Sequence, residues 1–111
     1  MDITPWLAQL RKGAAELTVL SVIADGGECY GLQILERANV GGDIVSDGAL
    51  YPLLSRLEKE GKLSARWVLE EGPHPRKYYR LTDQGAALVP VMIQAWTDFR
   101  QAMTRIVEKT R

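Results

Sequence analysis

Between Lys62 and Arg80 the chain carries Lys62, Arg66, Arg76, Lys77 and Arg80 against only Glu70 and Glu71. A locally positive segment of this kind suits the phosphates of nucleic acid, which attract clustered Lys and Arg whatever the base sequence. The chain as a whole holds 14 basic and 14 acidic residues and no net charge, so any such attraction must come from distribution rather than excess. Other chemistries are poorly supplied. The single histidine, His74, stands between Pro73 and Pro75 with no partnered nucleophile, and no glycine-rich phosphate cradle occurs, so no enzyme is expected. Cys29 and His74 belong to different elements and give no cluster of metal ligands, so neither metal nor cofactor is expected. A sole cysteine rules out an intrachain disulfide, fits a reducing compartment and reads as a small half-buried residue. No apolar run is long enough to span a membrane, and Met1-Asp2-Ile3-Thr4-Pro5 does not resemble a signal peptide, so the expected location is the cytoplasm.

Something must position those cations. A chain of 111 residues, 46% apolar and 25% charged, has room for one modest core. Thr4 as cap and Pro5 at the first helical position predict a short helix to about Lys12, with Trp6, Leu7 and Leu10 on its apolar side. Gly13 permits a break before a second, almost wholly apolar helix from Ala14 to Ala24, stopped by Asp25-Gly26-Gly27. After Tyr30-Gly31 a short helix carries Leu32, Ile34 and Leu35 inward to about Ala38, and Asn39 to Asp43 forms a glycine-containing turn.

The clearest signal follows. Leu50, Leu53, Leu54 and Leu57 recur at the spacing of one helical face behind a Ser46-Asp47 cap, and Gly61 is placed to end that helix in a left-handed conformation. Pro52 is awkward, because inside a helix it removes a backbone bond; the pattern alone starts the helix there. Leu63 to Glu70 and Arg76 to Leu81 read as a two-stranded hairpin with Glu71 to Pro75 as its tip. Thr82 caps a last helix from about Asp83 to Lys109, bent near Pro90, along which Val89, Met92, Trp96, Phe99, Met103 and Ile106 form a heptad seam. Such a seam exceeds what three short helices and a hairpin can cover, so a second copy of the chain is its expected partner.

This order predicts a mainly α fold with a small β-hairpin, a winged helix-turn-helix with dimerisation helices at both ends. Residues 1–82 make the DNA-binding domain and residues 83–111 the dimerisation helix. With the leucines inward, Gly48, Pro52, Ser55 and Lys59 point outward, flanked by Ala49, Tyr51 and Arg56. Gly48 and Ala49 allow close approach, Ala49 suits a thymine methyl, Tyr51 and Ser55 suit base edges or phosphates, and Arg56 and Lys59 suit phosphate or guanine. Arg76 and Lys77 lie beside a proline-stiffened tip that would follow the DNA backbone. The competing reading keeps the fold for protein contact, as an interaction module or antirepressor that does not bind DNA; the neutral net charge supports it.

Tyr30-Gly31, the run Gly48-Ala49-Leu50-Tyr51-Pro52-Leu53-Leu54-Ser55-Arg56-Leu57-Glu58 and the run Arg76-Lys77-Tyr78-Tyr79-Arg80-Leu81-Thr82-Asp83-Gln84-Gly85 together resemble the PadR family of transcriptional regulators, in its shorter subtype with one C-terminal helix. The resemblance spans essentially the whole chain. It implies a homodimer on near-palindromic double-stranded operators, usually a repressor, released by a small ligand or a stress signal. It starts the recognition helix near Asp47 with Pro52 inside, and it places DNA reading on Tyr30, on Ser46, Asp47 and the residues up to Pro52, and on Arg76 and Lys77. Many relatives carry Ser or Thr where this chain has Ala49, which removes one hydroxyl contact. The dimer face would use Trp6, Leu10 and the seam residues, with Trp96 at its centre. Trp96, with Met92 and Phe99, is therefore the candidate site for a small hydrophobic or aromatic effector, although a heptad tryptophan also serves as plain dimer core.

Overall fold

The computed structural model describes residues 1–69, 72 and 74–110. Among the described residues seven elements follow one another: α1 (Thr4–Gly26), β1 (Glu28–Tyr30), α2 (Gly31–Ala38), α3 (Asp47–Lys59), β2 (Leu63–Val68), β3 (Arg76–Leu81) and α4 (Asp83–Thr110). The predicted order of helix, helix-turn-helix, hairpin and long helix is present. Its details differ in ways that have physical reasons.

The expected break at Gly13 does not occur: α1 runs unbroken over 23 residues. A glycine inside a helix costs only about 1 kcal/mol relative to alanine. The buried stripe Ala15, Val19, Leu20 and Ile23 holds the second half of the helix in place and so carries the chain through Gly13. Thr4 is the first helical residue rather than the cap, and its backbone N–H donates to Asp2 Oδ1 at 2.9 Å. At the far end Gly27 adopts φ 80° and its N–H donates to the Ile23 carbonyl at 2.9 Å.

The sheet has three strands rather than two, in the order β1-β3-β2. β1 pairs antiparallel with β3 through Glu28↔Arg80, Cys29↔Tyr79 and Tyr30↔Tyr78. Three residues are too few to show an alternation, so the sequence pattern could not reveal this strand. Cys29, expected half-buried, is fully enclosed, and burial pushes its thiol up despite Arg37 Nη1 at 3.3 Å from Sγ. β2 stops at Val68, two residues short of the predicted end; Glu70, Glu71 and Pro73 of the predicted strand end and tip lie outside the described residues.

Leu20, Ile23, Ile34, Leu50, Leu54, Leu57 and Leu63 are fully buried and form the centre of the core between the helices and one face of the sheet. Leu32 was expected inward but is exposed, because Gly31, Ile34 and Ala38 define the inner face of α2 and Leu32 lies about 100° away from it. Asn39 closes the turn between α2 and α3. Its Nδ2 donates to the Leu35 and Val45 carbonyls at 2.9 and 2.8 Å, and its Oδ1 accepts from the backbone of Ile44 and Val45 at 2.8 and 2.9 Å.

Gly61 takes φ 79°, as predicted, and the N–H of Lys62 reaches back to the Leu57 carbonyl at 2.9 Å. Thr82 then ties this end of α3 to α4: its hydroxyl donates to the Gly61 carbonyl at 2.6 Å and accepts from the Gly85 N–H at 3.0 Å. α4 extends over 28 residues with Pro90 inside it, and it gives the molecule a long axis of 54 Å. Val89, expected on the dimer seam, is 7% exposed and belongs to the subunit's own core, with Met92 packed half-buried against it. The first turns of α4 lie on the domain, so only the later seam residues remain uncovered. Among the described residues no helix is long and apolar enough to cross a membrane.

A Cβ at Gly85 would lie 2.1 Å from the Lys62 carbonyl oxygen, a backbone atom that cannot swing away. Gly85→Ala is therefore expected to destabilise the fold by about 2–4 kcal/mol in denaturant unfolding. At Gly13 an added Cβ meets nothing within 4 Å, and Gly13→Ala should leave stability unchanged or raise it by up to about 1 kcal/mol.

Candidate nucleic-acid interface

α3 is two-faced because its sequence is. Leu50, Leu54 and Leu57 are buried, while Gly48, Ala49, Tyr51, Pro52, Ser55, Arg56 and Lys59 are exposed. Ser46 is the N-cap, extended at φ −85° and ψ 161°, and its Oγ accepts from the Ala49 N–H at 3.2 Å. The helix begins at Asp47 and contains Pro52. The pattern-only start at Pro52 fails because a capped first turn tolerates one missing hydrogen bond, and the proline ring lies outward where it meets no core.

Tyr51 explains the glycine of Tyr30-Gly31. A Cβ at Gly31 would lie 2.7 Å from Tyr51 Oη and 2.8 Å from Cε1, so the ring rests directly on the first residue of α2. Tyr30 precedes that residue, and its backbone N–H donates to Gln33 Oε1 at 3.2 Å. Across the sheet the Tyr30 ring meets Tyr78 edge-on at 5.4 Å, and the Arg76 guanidinium sits 4.4 Å from the Tyr30 ring centre. The structure thus brings together Tyr30 and Arg76, two of the predicted DNA residues, from elements far apart in sequence.

Lys77 does not join them. Successive strand residues face opposite ways, so Lys77 turns to the inner side, where Nζ donates to Glu58 Oε1 at 3.0 Å and approaches the rings of Tyr79 and Trp67 at 5.4 and 5.7 Å. Its pKa is raised, first by the hydrogen bond to Glu58. Arg56 is also engaged: Nη2 lies 2.7 Å from Glu16 Oε1 and Nη1 lies 3.0 Å from Glu60 Oε2. Of the predicted cations on α3, Lys59 alone makes no ion pair among the described residues.

Sequence reading missed Glu16, Glu28, Glu60 and Tyr78 as residues that shape this surface. Glu28 clamps Arg66 through both carboxylate oxygens. The Arg56–Glu16 and Arg66–Glu28 pairs join residues 40 and 38 positions apart, separations that leave no periodic trace in sequence. Glu60, by contrast, lies four residues after Arg56 and could have been found from that helical spacing.

A second surface lies away from α3. Trp6, Leu10, Trp96, Phe99, Met103 and Ile106 are all exposed, Trp6 and Phe99 to 58% and Ile106 to 69%. Leu10 of α1 joins Trp96, Phe99 and Met103 of α4 around a shallow depression of about 230 Å³. Met92, expected beside Trp96, instead lines a separate open groove of about 760 Å³ between α1 and α3, with Ala8, Arg11, Ile44 and Pro52. Among the described residues no group of three His, Cys, Asp or Glu side chains is arranged to hold a metal.

Burial pushes the Glu16 carboxyl up, but hydrogen bonds from Arg56 and Lys62 outweigh this and hold it below its ordinary value of 4.5. A carboxyl lowered in the folded state stabilises fully above the unfolded value and loses that contribution as pH falls through the folded one. Stability measured in denaturant is therefore expected to drop below about pH 4.5, and to drop less steeply in Glu16→Gln than in the parent.

The comparison with known proteins agrees with this geometry. Residues 19–89 match the transcriptional regulator PadR-like family. The chain is 30% identical over 103 residues to the transcriptional regulator Rv3488 of Mycobacterium tuberculosis, an alignment covering 93% of this chain and 88% of that protein. Among solved structures it is similar to a PadR family transcriptional regulator from Eggerthella lenta, at 30% identity and TM-score 0.80, covering 96% of this chain and 92% of that one. It is likewise similar to a PadR-like transcriptional regulator from Bacillus cereus, at 30% identity and TM-score 0.77, covering 89% and 96%. On the family match, the relative and the shared winged helix-turn-helix fold, the chain belongs to the PadR-like family of transcriptional regulators, which are not enzymes.

Proposed function

We propose that this chain is a homodimeric repressor, acting in the cytoplasm, which binds a near-palindromic operator in double-stranded DNA and leaves it when a small hydrophobic or aromatic effector binds. The observation that carries the DNA reading is the outer face of α3. Gly48, Ala49, Pro52 and Ser55 leave it low and open, so a base-pair edge can approach the helix backbone, and the Arg76 guanidinium stacked on Tyr30 would supply a phosphate contact. Ser46 caps its first turn, Tyr51 in the second rests on Gly31 of α2, and the helix N-terminus favours phosphate. Residues 1–82 would read DNA and residues 83–111 would pair the subunits.

Dimerisation is supported by the apolar side chains left bare on one side of α1 and α4, an arrangement that a single soluble chain rarely keeps. Pairing two copies along Trp96, Phe99, Met103 and Ile106 would bring their shallow depressions together and make Trp96 and Phe99 the walls of an effector site. Met92 would contribute from the neighbouring groove only if the partner reshaped it.

A duplex from the gene's own upstream region, titrated beside a scrambled duplex at two salt concentrations, tests the DNA reading. The expected result is preference for the upstream duplex with affinity falling steeply in salt, and Arg76→Ala weakening both duplexes with a salt slope shallower by about one. Failure of a folded dimer on both duplexes would support the protein-contact alternative. For the dimer, Phe99→Asp is expected to give monomers in sedimentation equilibrium at concentrations where the parent is dimeric. Planar aromatic cations or phenolic compounds should quench tryptophan fluorescence in the parent and not in Trp96→Phe; equal quenching in both would remove the effector role of Trp96.

A further inference from the structure

Four side chains of alternating charge close into a ring beneath the recognition helix. Arg56 reaches Glu16 at 2.7 Å and Glu60 at 3.0 Å, while Lys62 reaches Glu60 at 3.0 Å and Glu16 at 3.1 Å. Each cation is shared by both carboxylates, and each carboxylate by both cations. The ring joins three parts of the fold: Glu16 on α1, Arg56 and Glu60 at the C-terminal end of α3, and Lys62 at the entry to β2. The ring is half sunk in the surface: the side chains of Glu16 and Lys62 are 22% and 19% exposed, those of Arg56 and Glu60 50% and 39%.

Apolar packing of Leu50, Leu54 and Leu57 decides which face of α3 is inward, but it is non-directional and tolerates small rotations and tilts. A guanidinium shared between two carboxylates is directional. The ring also lies well away from the reading end: Arg56 is seven residues beyond Ala49, about 10 Å along the axis. A tilt released there is therefore expressed at Gly48 and Ala49.

We propose that Glu16, Arg56, Glu60 and Lys62 are positioning residues that fix the angle of α3 against α1, and that Arg56 serves operator recognition in this way rather than by touching DNA. The proposal rests on the DNA-binding reading above. It inverts the prediction of simple charge counting. Removing the negative charge of Glu16 should, by attraction alone, strengthen binding to phosphate; loosening the ring should weaken recognition of the operator.

The test uses the full-length protein, the upstream duplex and a scrambled duplex of equal length. Glu16→Gln, which keeps the side chain's size, is expected to weaken the upstream duplex roughly threefold to tenfold, leave the scrambled duplex bound as tightly as by the parent or slightly tighter, and keep the salt slope of the parent. Arg56→Gln should do the same, and Glu16→Gln/Arg56→Gln should be no weaker than the worse single variant. Unchanged or tighter operator binding in Glu16→Gln overturns the proposal, as does a slope shallower by about one in Arg56→Gln, which would make Arg56 a phosphate contact. A lower melting temperature with operator preference intact overturns it too, because the ring would then serve stability alone.

A measurement without DNA separates this from the reading it rests on. Spin labels at Gln9→Cys on α1 and Ser55→Cys on α3, in dimers diluted with unlabelled chain, should give a narrow distance distribution that broadens in Glu16→Gln; Cys29, fully enclosed, stays unlabelled. Broadening in a protein whose parent ignores both duplexes supports the clamp while refuting DNA binding. An unbroadened distribution refutes the clamp.

Discussion

The carbonyl of Lys62 and the backbone of Gly85 approach so closely that no side chain fits between them, and the long helix is fastened to the rest of the molecule at that point. The Thr82 hydroxyl and backbone add hydrogen bonds to Gly61 and Lys62 on the same spot. The end of α3, the start of β2, the end of β3 and the start of α4 therefore meet in a few residues. The direction in which α4 leaves the domain is set by backbone contact, before any apolar side chain of its seam is engaged. The exposed tryptophan and phenylalanine of α4 are thus displayed at a defined place relative to α3, even in a single subunit.

The neutral total charge has a structural explanation. Arg56 and Lys62 are held by Glu16 and Glu60, Arg66 by Glu28, and Lys77 by Glu58. Much of the positive charge that the hairpin segment carries in sequence is thereby spent inside the protein surface, and local counts overstate what is available to a polyanion. What distinguishes the proposed reading face is shape: small residues along α3, a tyrosine laid on a glycine, and an arginine stacked on a tyrosine. Charge counting and geometry consequently give different rankings of the same cations.

The elements were legible in sequence where a period or a cap marked them. The leucines of α3, the Gly61 stop, the Thr82 cap and the bounds of α2 and β3 all followed from local rules, because each is decided by neighbours within one or two turns. The start of α3 behind Ser46 came instead from the family resemblance and not from the pattern, which began the helix at Pro52. What stayed hidden was decided at a distance. The third strand exists because β3 offers an edge to three residues that have no pattern of their own. Gly13 reads as a break until the buried stripe beyond it is known to hold the helix straight. Arg56 and Lys77 look like free cations until the fold brings carboxylates from other elements against them. Val89 fits the heptad, but the heptad does not reveal which of its members the subunit covers for itself.

β3 is the central strand, paired with β2 along all six of its residues and with β1 at Tyr78, Tyr79 and Arg80. Its parity is therefore locked, with Arg76 turned outward beside Tyr30 and Lys77 turned inward beside Glu58. A slip of one residue would exchange the two and turn every side chain of the strand to the opposite face. The hairpin tip is not bound by that rule, since residues inserted there lengthen the loop without moving the register behind it. In evolutionary terms the wing is divided into a strand that cannot drift and a connection whose length can change while the scaffold stays untouched.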